Sequence, residues 1–201
     1  MDTVWIQMAV LVLLVAASAY FSSSETAFSS LNRIRLKSQA QAGNKRASAA
    51  LRLSEQYDTL LSTILIGNNI VNIAAASIAT VVFVHFFKDA GVTLSTVVMT
   101  VVVLIFGEIS PKCLAKQNAE TVALALTPSL RVLTVLLTPL NALFTQWKKL
   151  LDRFFPPRQD PAMTDEELLT IVDEVQSGGS IDEHKGELIR AAIEFDDLTV
   201  M

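Results

Sequence analysis

The stretch Thr59–Phe87 reads TLLSTILIGNNIVNIAAASIATVVFVHFF, 29 residues with no Asp, Glu, Lys or Arg. About 20 such residues, rising 1.5 Å each in a helix, cross a hydrocarbon layer roughly 30 Å thick. The segment is therefore a membrane-span candidate. Working outward, Thr3–Ser24 gives 22 uncharged residues, Ala90–Gly107 gives 18, and Thr121–Trp147 gives 27 interrupted only by Arg131. Four runs of this kind exclude a soluble globular enzyme. The expected fold class is an all-α membrane protein.

The charges separate along the chain. Its 201 residues carry a formal net charge of −4, but residues 1–158 hold 14 basic and 8 acidic residues while 159–201 hold 2 and 12. The proline-rich linker Pro156-Pro157-Arg158-Gln159-Asp160-Pro161 marks the boundary. This divides a transmembrane domain, 1–158, from an acidic cytoplasmic helical segment, 159–201. The first apolar run has only Asp2 ahead of it and no basic n-region, so it is expected to be a retained helix, not a signal peptide. A single cysteine, Cys113, excludes an internal disulfide and reads as a packing residue.

Basic residues orient the spans. Arg33, Arg35, Lys37, Lys45, Arg46 and Arg52 crowd the loop between the first two runs and mark it as cytoplasmic. The second loop, with Lys88 and Asp89, suits the outside, and Lys112 and Lys116 return the chain to the cytoplasm. A spanning fourth run would put Lys148, Lys149, Arg153 and Arg158 outside, against this bias. That run also contains Arg131, Pro128 and Pro139, and each proline is expected to break the helix. The reading is three spans, about 4–24, 59–86 and 91–112, followed by a Pro-broken juxtamembrane helix at 119–153. It predicts a multi-pass cell-membrane protein with its N-terminus outside and C-terminus cytoplasmic.

The cytoplasmic loop predicts a helical hairpin. Phe28, Leu31 and Ile34 form one stripe, Gly43 ends the first helix, and Ala47, Ala50, Leu51 and Leu53 line the second. Such a hairpin would also rest on anionic lipid through its arginines. The acidic tail predicts a second helical pair, with capping boxes at Thr164/Glu167 and Ser180/Glu183 and a stop at Gly178-Gly179.

Polar residues gather in three spans: Phe21-Ser22-Ser23-Ser24-Glu25, Gly67-Asn68-Asn69-Ile70-Val71-Asn72 and Phe106-Gly107-Glu108-Ile109-Ser110-Pro111-Lys112. Counted from the outer ends, Ser22, Asn68 and Glu108 lie 18, 18 and 17 residues in, so all three are expected at one level toward the cytoplasm. Asn68 and Asn72 share a helix face. Pro111 lacks an N–H, so in an α-helix the carbonyl of Gly107 loses its donor beside the Glu108 carboxylate. Ser22 and Ser24 add oxygens. One carboxylate among neutral oxygens suits a hard cation such as Mg²⁺ or Na⁺, not Zn²⁺. Lys112, one turn from Glu108, is positioned to neutralise it when no cation is bound. The bland alternative is that the serines and asparagines are interhelical hydrogen-bonding glue, the proline kink is structural and Glu108–Lys112 is an ion pair without a ligand.

At these residues the sequence resembles the transmembrane domain of the CorC/CNNM (cyclin M) family of magnesium transporters. The second and third motifs carry most of the likeness, which extends through the tail Ile193-Glu194-Phe195-Asp196-Asp197-Leu198-Thr199-Val200-Met201. The resemblance implies a homodimer in the lipid bilayer that exports Mg²⁺, exchanging it for Na⁺. It implies metal ligation by the asparagines Asn68 and Asn72, by Gly107 and Glu108, and by a first-span serine. From the residues themselves, Pro111 and Lys112 are the expected helix-kink and gating positions. It also implies that the tail leads into CBS modules, so that ATP would act only through modules absent from this chain. No nucleic-acid partner is expected, and no enzyme activity.

Two other functions use the same residues. A membrane Mg²⁺ sensor would need the same ligands without transport. An intramembrane enzyme would use Ser110 and Lys112, but Ser–Lys chemistry needs an oxyanion hole that the sequence does not provide.

Overall fold

The computed structural model describes residues 2–154, 165–177 and 181–194, and every regular element among them is helical. The chain divides into two compact units, residues 1–150 and 151–201. The first contains α1 (Asp2–Ser29), α2 (Arg33–Gln41), α3 (Lys45–Glu55) and α4 (Tyr57–Phe87). A short 3₁₀ turn, Lys88–Ala90, leads into α5 (Gly91–Val102), a π-helical segment (Val103–Ile109) and α6 (Ser110–Gln117). Then come α7 (Ala119–Leu136) and α8 (Thr138–Phe154), whose last residues enter the second unit.

Three helical stretches have the length and composition to cross a membrane: Thr3–Ser29, Tyr57–Gln117 and Ala119–Leu136. The second, at 61 residues, is folded back on itself. Lys88 turns the chain at a φ of 49°, and the hydroxyls of Thr80 and Ser95 meet at 3.2 Å across the two legs. So α4 runs one way and α5, the π segment and α6 return. Val12 and Leu13 on α1, and Ile73, Val81, Val97 and Val101 on these legs, are exposed, as lipid-facing side chains are. This is a multi-pass membrane protein.

Ala119–Leu136 has the length to cross, yet both its ends lie where α1 finishes and α4 begins. Near its start, Glu120 pairs with Arg35 at 3.4 Å and accepts a hydrogen bond from Gln39 at 3.3 Å. Near its end, Arg131, Thr134 and Val135 share a cavity wall with Arg52, Leu53 and Gln56, which directly precede α4. From α8, the Asn141 amide then donates to the Thr63 hydroxyl, early in α4, at 2.8 Å. Contacts near both ends thus tie α7 to α2 and to the α3–α4 junction.

Pro128 does not break α7, contrary to the sequence reading. A proline in a helix removes one backbone hydrogen bond. Ala123, Thr127 and Leu130 stay buried around it, and the Thr127 hydroxyl donates to the Ala123 carbonyl at 2.7 Å. The break falls at Leu137, two residues ahead of Pro139.

Two apolar clusters hold the first unit together. One joins Phe21, Phe28, Leu36, Ala47, Ala50, Leu53, Leu60 and Ile64 to Ala115, Ala123 and Leu130. The other joins Leu11 of α1 to Ala75, Ala79, Val82 and Met99 of the α4–α5 legs. In the first cluster α2 contributes Leu36, while Ile34 is 83% exposed. The stripe expected through Phe28, Leu31 and Ile34 assumed one helical phase, but α1 ends at Ser29 and α2 restarts at Arg33 after the Asn32 cap. Asn44 caps α3 after Gly43, whose φ of +91° only glycine adopts readily.

In the second unit, α9 (Asp165–Ser177) and α10 (Glu183–Glu194) pack together, with Arg190 paired to Asp173. Asp182 caps α10, its carboxylate accepting from the Lys185 N–H at 2.9 Å. Thr164, Gly178-Gly179, Ser180, the linker Pro156–Pro161 and the tail beyond Glu194 lie outside the described residues.

Candidate functional site

Between the two apolar clusters lies a polar band. Ser18, fully buried on α1, donates its hydroxyl to Asn68 Oδ1 on α4 at 3.1 Å. Gly107 of the π segment sits against the same serine; a β-carbon there would stand 3.0 Å from Ser18 Oγ. Next to Asn68, Gly67 lets α4 close on α1, since a β-carbon would stand 2.3 Å from the Phe21 ring. These contacts fix α1 and α4 antiparallel with Ser18 level with Asn68.

In that register Ser22 lies one turn toward the C-terminal end of α1 and Asn72 one turn toward the α4–α5 turn, each about 6 Å from the centre. The expected common level of Ser22, Asn68 and Glu108 is thus shifted. The α1 residue at the level of Asn68 and Gly107 is Ser18, which the sequence reading passed over. The count assumed that Val4 and Phe86 start level, whereas the Ser18–Asn68 register sets Val4 opposite Val82. A weak signal existed, because Ser18 and Ser22 are four apart and share a face of α1.

Ser24 is not brought to this group. It lies about 160° around the helix from Ser22, on the face of Tyr20. Its hydroxyl donates to the Tyr20 carbonyl at 2.7 Å, and Tyr20 in turn meets Ser129 of α7 at 2.6 Å.

The band contains buried oxygens that satisfy nothing. Ser22 Oγ and Asn72 Oδ1 are enclosed and have no hydrogen-bond partner. Leaving such a group buried and unmade costs about 1–3 kcal/mol, and each keeps lone pairs open to a partner. Asn68 Oδ1 keeps a second lone pair beyond the Ser18 bond. Half-buried Glu108 has no ion-pair partner among the described residues.

The π segment changes the reasoning at Pro111. The Ser110 N–H donates to the Ile105 carbonyl, five residues back. In that register the donor missing at Pro111 would have served Phe106; in an α register it would have served Gly107. Pro111 itself sits in the first turn of α6, where a missing N–H costs little. The wider helix also relieves the clash between a proline ring and the carbonyl four residues before it.

Asn72 also lines a cleft of about 230 Å³ between α4 and α5. Thr80, Ser95, Thr96 and Thr100 line it too. All four hydroxyls donate back to carbonyls of their own helices, at 2.7–3.0 Å. With those protons committed, the cleft wall presents oxygen lone pairs, which attract cations.

The family model for the cyclin M transmembrane N-terminal domain matches residues 9–185. The chain belongs to the cyclin M transmembrane-domain family. A UPF0053 protein of Haemophilus influenzae is 38% identical over 194 residues, covering 95% of this chain and 46% of the relative. The UPF0053 inner membrane protein YfjD of Escherichia coli is 37% identical over 187 residues, covering 91% of this chain and 43% of its own length. A chloroplastic DUF21 domain-containing protein of Arabidopsis thaliana is 30% identical over 193 residues, 29% of that protein. The chain spans less than half the length of these relatives.

This cyclin M domain therefore brings Ser18, Asn68 and Gly107 together, with the oxygens of Ser22 and Asn72 one turn to either side and the Glu108 carboxylate next to Gly107 in the π segment. Among its described residues no three His, Cys, Asp or Glu side chains gather. Such a donor set favours a hard, oxygen-seeking ion over a soft one.

Proposed function

We propose that this domain carries Mg²⁺ out of the cytoplasm in exchange for Na⁺, through one site in each subunit of a homodimer. The observation that carries the reading is the pair of enclosed, unpartnered oxygens, Ser22 Oγ and Asn72 Oδ1. They flank Asn68 and Gly107 in a band where a polar group without a partner is costly. Glu108 supplies the negative charge. Mg²⁺ requires near-octahedral oxygens at 2.0–2.1 Å and keeps several waters, so protein ligands replace only part of its shell.

In this reading α2 and α3, with their six basic residues, face the cytoplasm, and the N-terminus of α1 lies outside. Exposed Leu143, Phe144, Trp147 and Leu150 give α8 an apolar face, suited to lying in the inner leaflet as a juxtamembrane helix. The hydroxyl-lined cleft then leads outward from Asn72. No ATP site and no enzyme chemistry are assigned to this domain.

The test is Mg²⁺ binding by calorimetry to wild type, Asn72→Ala and Glu108→Ala, with Na⁺ as competitor, followed by Mg²⁺ flux in liposomes. Binding that is lost in both variants and weakened by Na⁺ is expected. Unchanged affinity in Glu108→Ala would sink the site. Binding without flux would make the domain a sensor.

A further inference from the structure

Arg131 is the only charged residue in the 27-residue run Thr121–Trp147. A guanidinium at membrane depth is expensive unless it meets an anion or reaches the interface. It lines a cavity of about 240 Å³ between α3 and α7 together with Arg52, Gln56, Thr134, Leu53 and Val135. No carboxylate of the described residues pairs with either arginine. Two like charges facing one cavity repel, and nothing among the lining residues offsets them. The cavity is therefore an anion site by charge.

The geometry also selects the anion. Guanidinium forks suit tetrahedral phosphate oxygens, which accept two parallel hydrogen bonds, and the Gln56 amide adds a neutral donor. The cavity has an apolar side as well, formed by Ala49, Leu53 and Val135. Around Arg131, Val132, Val135 and Leu136 are 66–70% exposed, an aliphatic surface beside the cavity. A phosphate held between two arginines beside an exposed aliphatic face matches the head of an anionic phospholipid.

We infer that the α3–α7 cavity binds a phosphate group through Arg52 and Arg131, and that its source is an anionic phospholipid. The site is separate from the cation band and does not depend on the transport reading. A bound lipid would tie α3, which leads into α4, to α7.

The test is the thermal midpoint of the full chain in detergent, titrated with phosphatidylglycerol, with phosphatidylcholine or with inorganic phosphate. Phosphatidylglycerol is expected to stabilise the wild type where phosphatidylcholine does not. Its apparent affinity should fall about tenfold in Arg131→Gln and again in Arg52→Gln/Arg131→Gln, as charge-assisted hydrogen bonds are lost. Arg33→Gln, remote from the cavity, should leave it unchanged. Arg131→Lys keeps the charge without the fork and should retain part of the affinity, which covers the case of a glutamine variant that folds poorly. Equal stabilisation by the two lipids in wild type would overturn the site. Saturation by inorganic phosphate, with no further effect of phosphatidylglycerol, would overturn the lipid assignment.

Discussion

Lys112 pairs with Glu25 at the end of α1, 3.1 Å from Nζ to Oε2, and not with Glu108 one turn before it. The pair is partly exposed, at 42% and 32%, so its direct contribution to stability is at most about 1 kcal/mol. Its larger effect is on where the ammonium is held. With Lys112 committed to Glu25, Glu108 keeps its charge available to a cation.

Glu25→Gln releases Lys112, and Glu108, four residues earlier in the chain, is the carboxylate next within reach. Mg²⁺ affinity is expected to fall about threefold to tenfold in this variant, less than 1.4 kcal/mol in free energy. It should recover in Glu25→Gln/Lys112→Gln, where no ammonium competes. Calorimetry on the three proteins decides it, and identical affinities would show that Lys112 cannot reach Glu108.

Gly107 and Ser18 make a size pair. A methyl at Gly107 would stand 3.0 Å from Ser18 Oγ and 3.3 Å from its Cβ, so Gly107→Ala wedges the π segment off α1. Overpacking of this kind costs about 1–3 kcal/mol. Ser18→Gly opens the space but loses the Asn68 hydrogen bond, about 1 kcal/mol. The double variant should therefore melt well above the sum of the two losses. Additive losses in that cycle would mean that the two residues do not touch.

Gly67 gives the same kind of test against a ring. A β-carbon at that position falls 2.3–2.4 Å from two ring atoms of Phe21, which is itself packed in the first apolar cluster. Gly67→Ala should lower stability by about 1–3 kcal/mol, and Phe21→Leu should rescue part of that loss. A Gly67→Ala protein that melts like wild type would place Phe21 elsewhere.

The sequence exposed the spans because charge-free length is a property of one helix at a time. It exposed the polar motifs for the same reason. What it could not expose was the register between helices. Ser18 escaped because a one-turn offset between α1 and α4 is set by Gly67 meeting Phe21, a contact between residues far apart in the chain. Lys112 was assigned to Glu108 because they are near in sequence, while Glu25 is near only in the fold. The π segment escaped as well, since Pro111 announces a disturbed helix without saying whether it kinks or widens. Pro128 and Pro139 look alike in sequence, but packing around Ala123, Thr127 and Leu130 keeps α7 continuous through Pro128.

Asn141 is a buried polar residue that can be removed at little cost. Its amide nitrogen donates to Thr63 Oγ1 at 2.8 Å, while its Oδ1 is enclosed without a partner. Thr63 does not rely on it, because the Thr63 hydroxyl already donates to the Thr59 carbonyl at 2.8 Å. Asn141→Leu, which keeps the same four-heavy-atom branching, deletes one hydrogen bond and also deletes the unsatisfied oxygen. Side-chain hydrogen bonds in membrane domains contribute about 0.6 kcal/mol on average, and an orphaned buried acceptor costs about 1–3 kcal/mol. Asn141→Leu should thus leave the melting temperature unchanged or raise it. Asn141→Ala also loses packing between α8 and α4 and should lower it by an amount typical of a small cavity, about 1 kcal/mol. Thermal melts of the two variants in the same detergent separate these effects. A Leu variant as unstable as the Ala variant would mean that Asn141 Oδ1 does have a partner, a water or a second subunit, that leucine cannot replace.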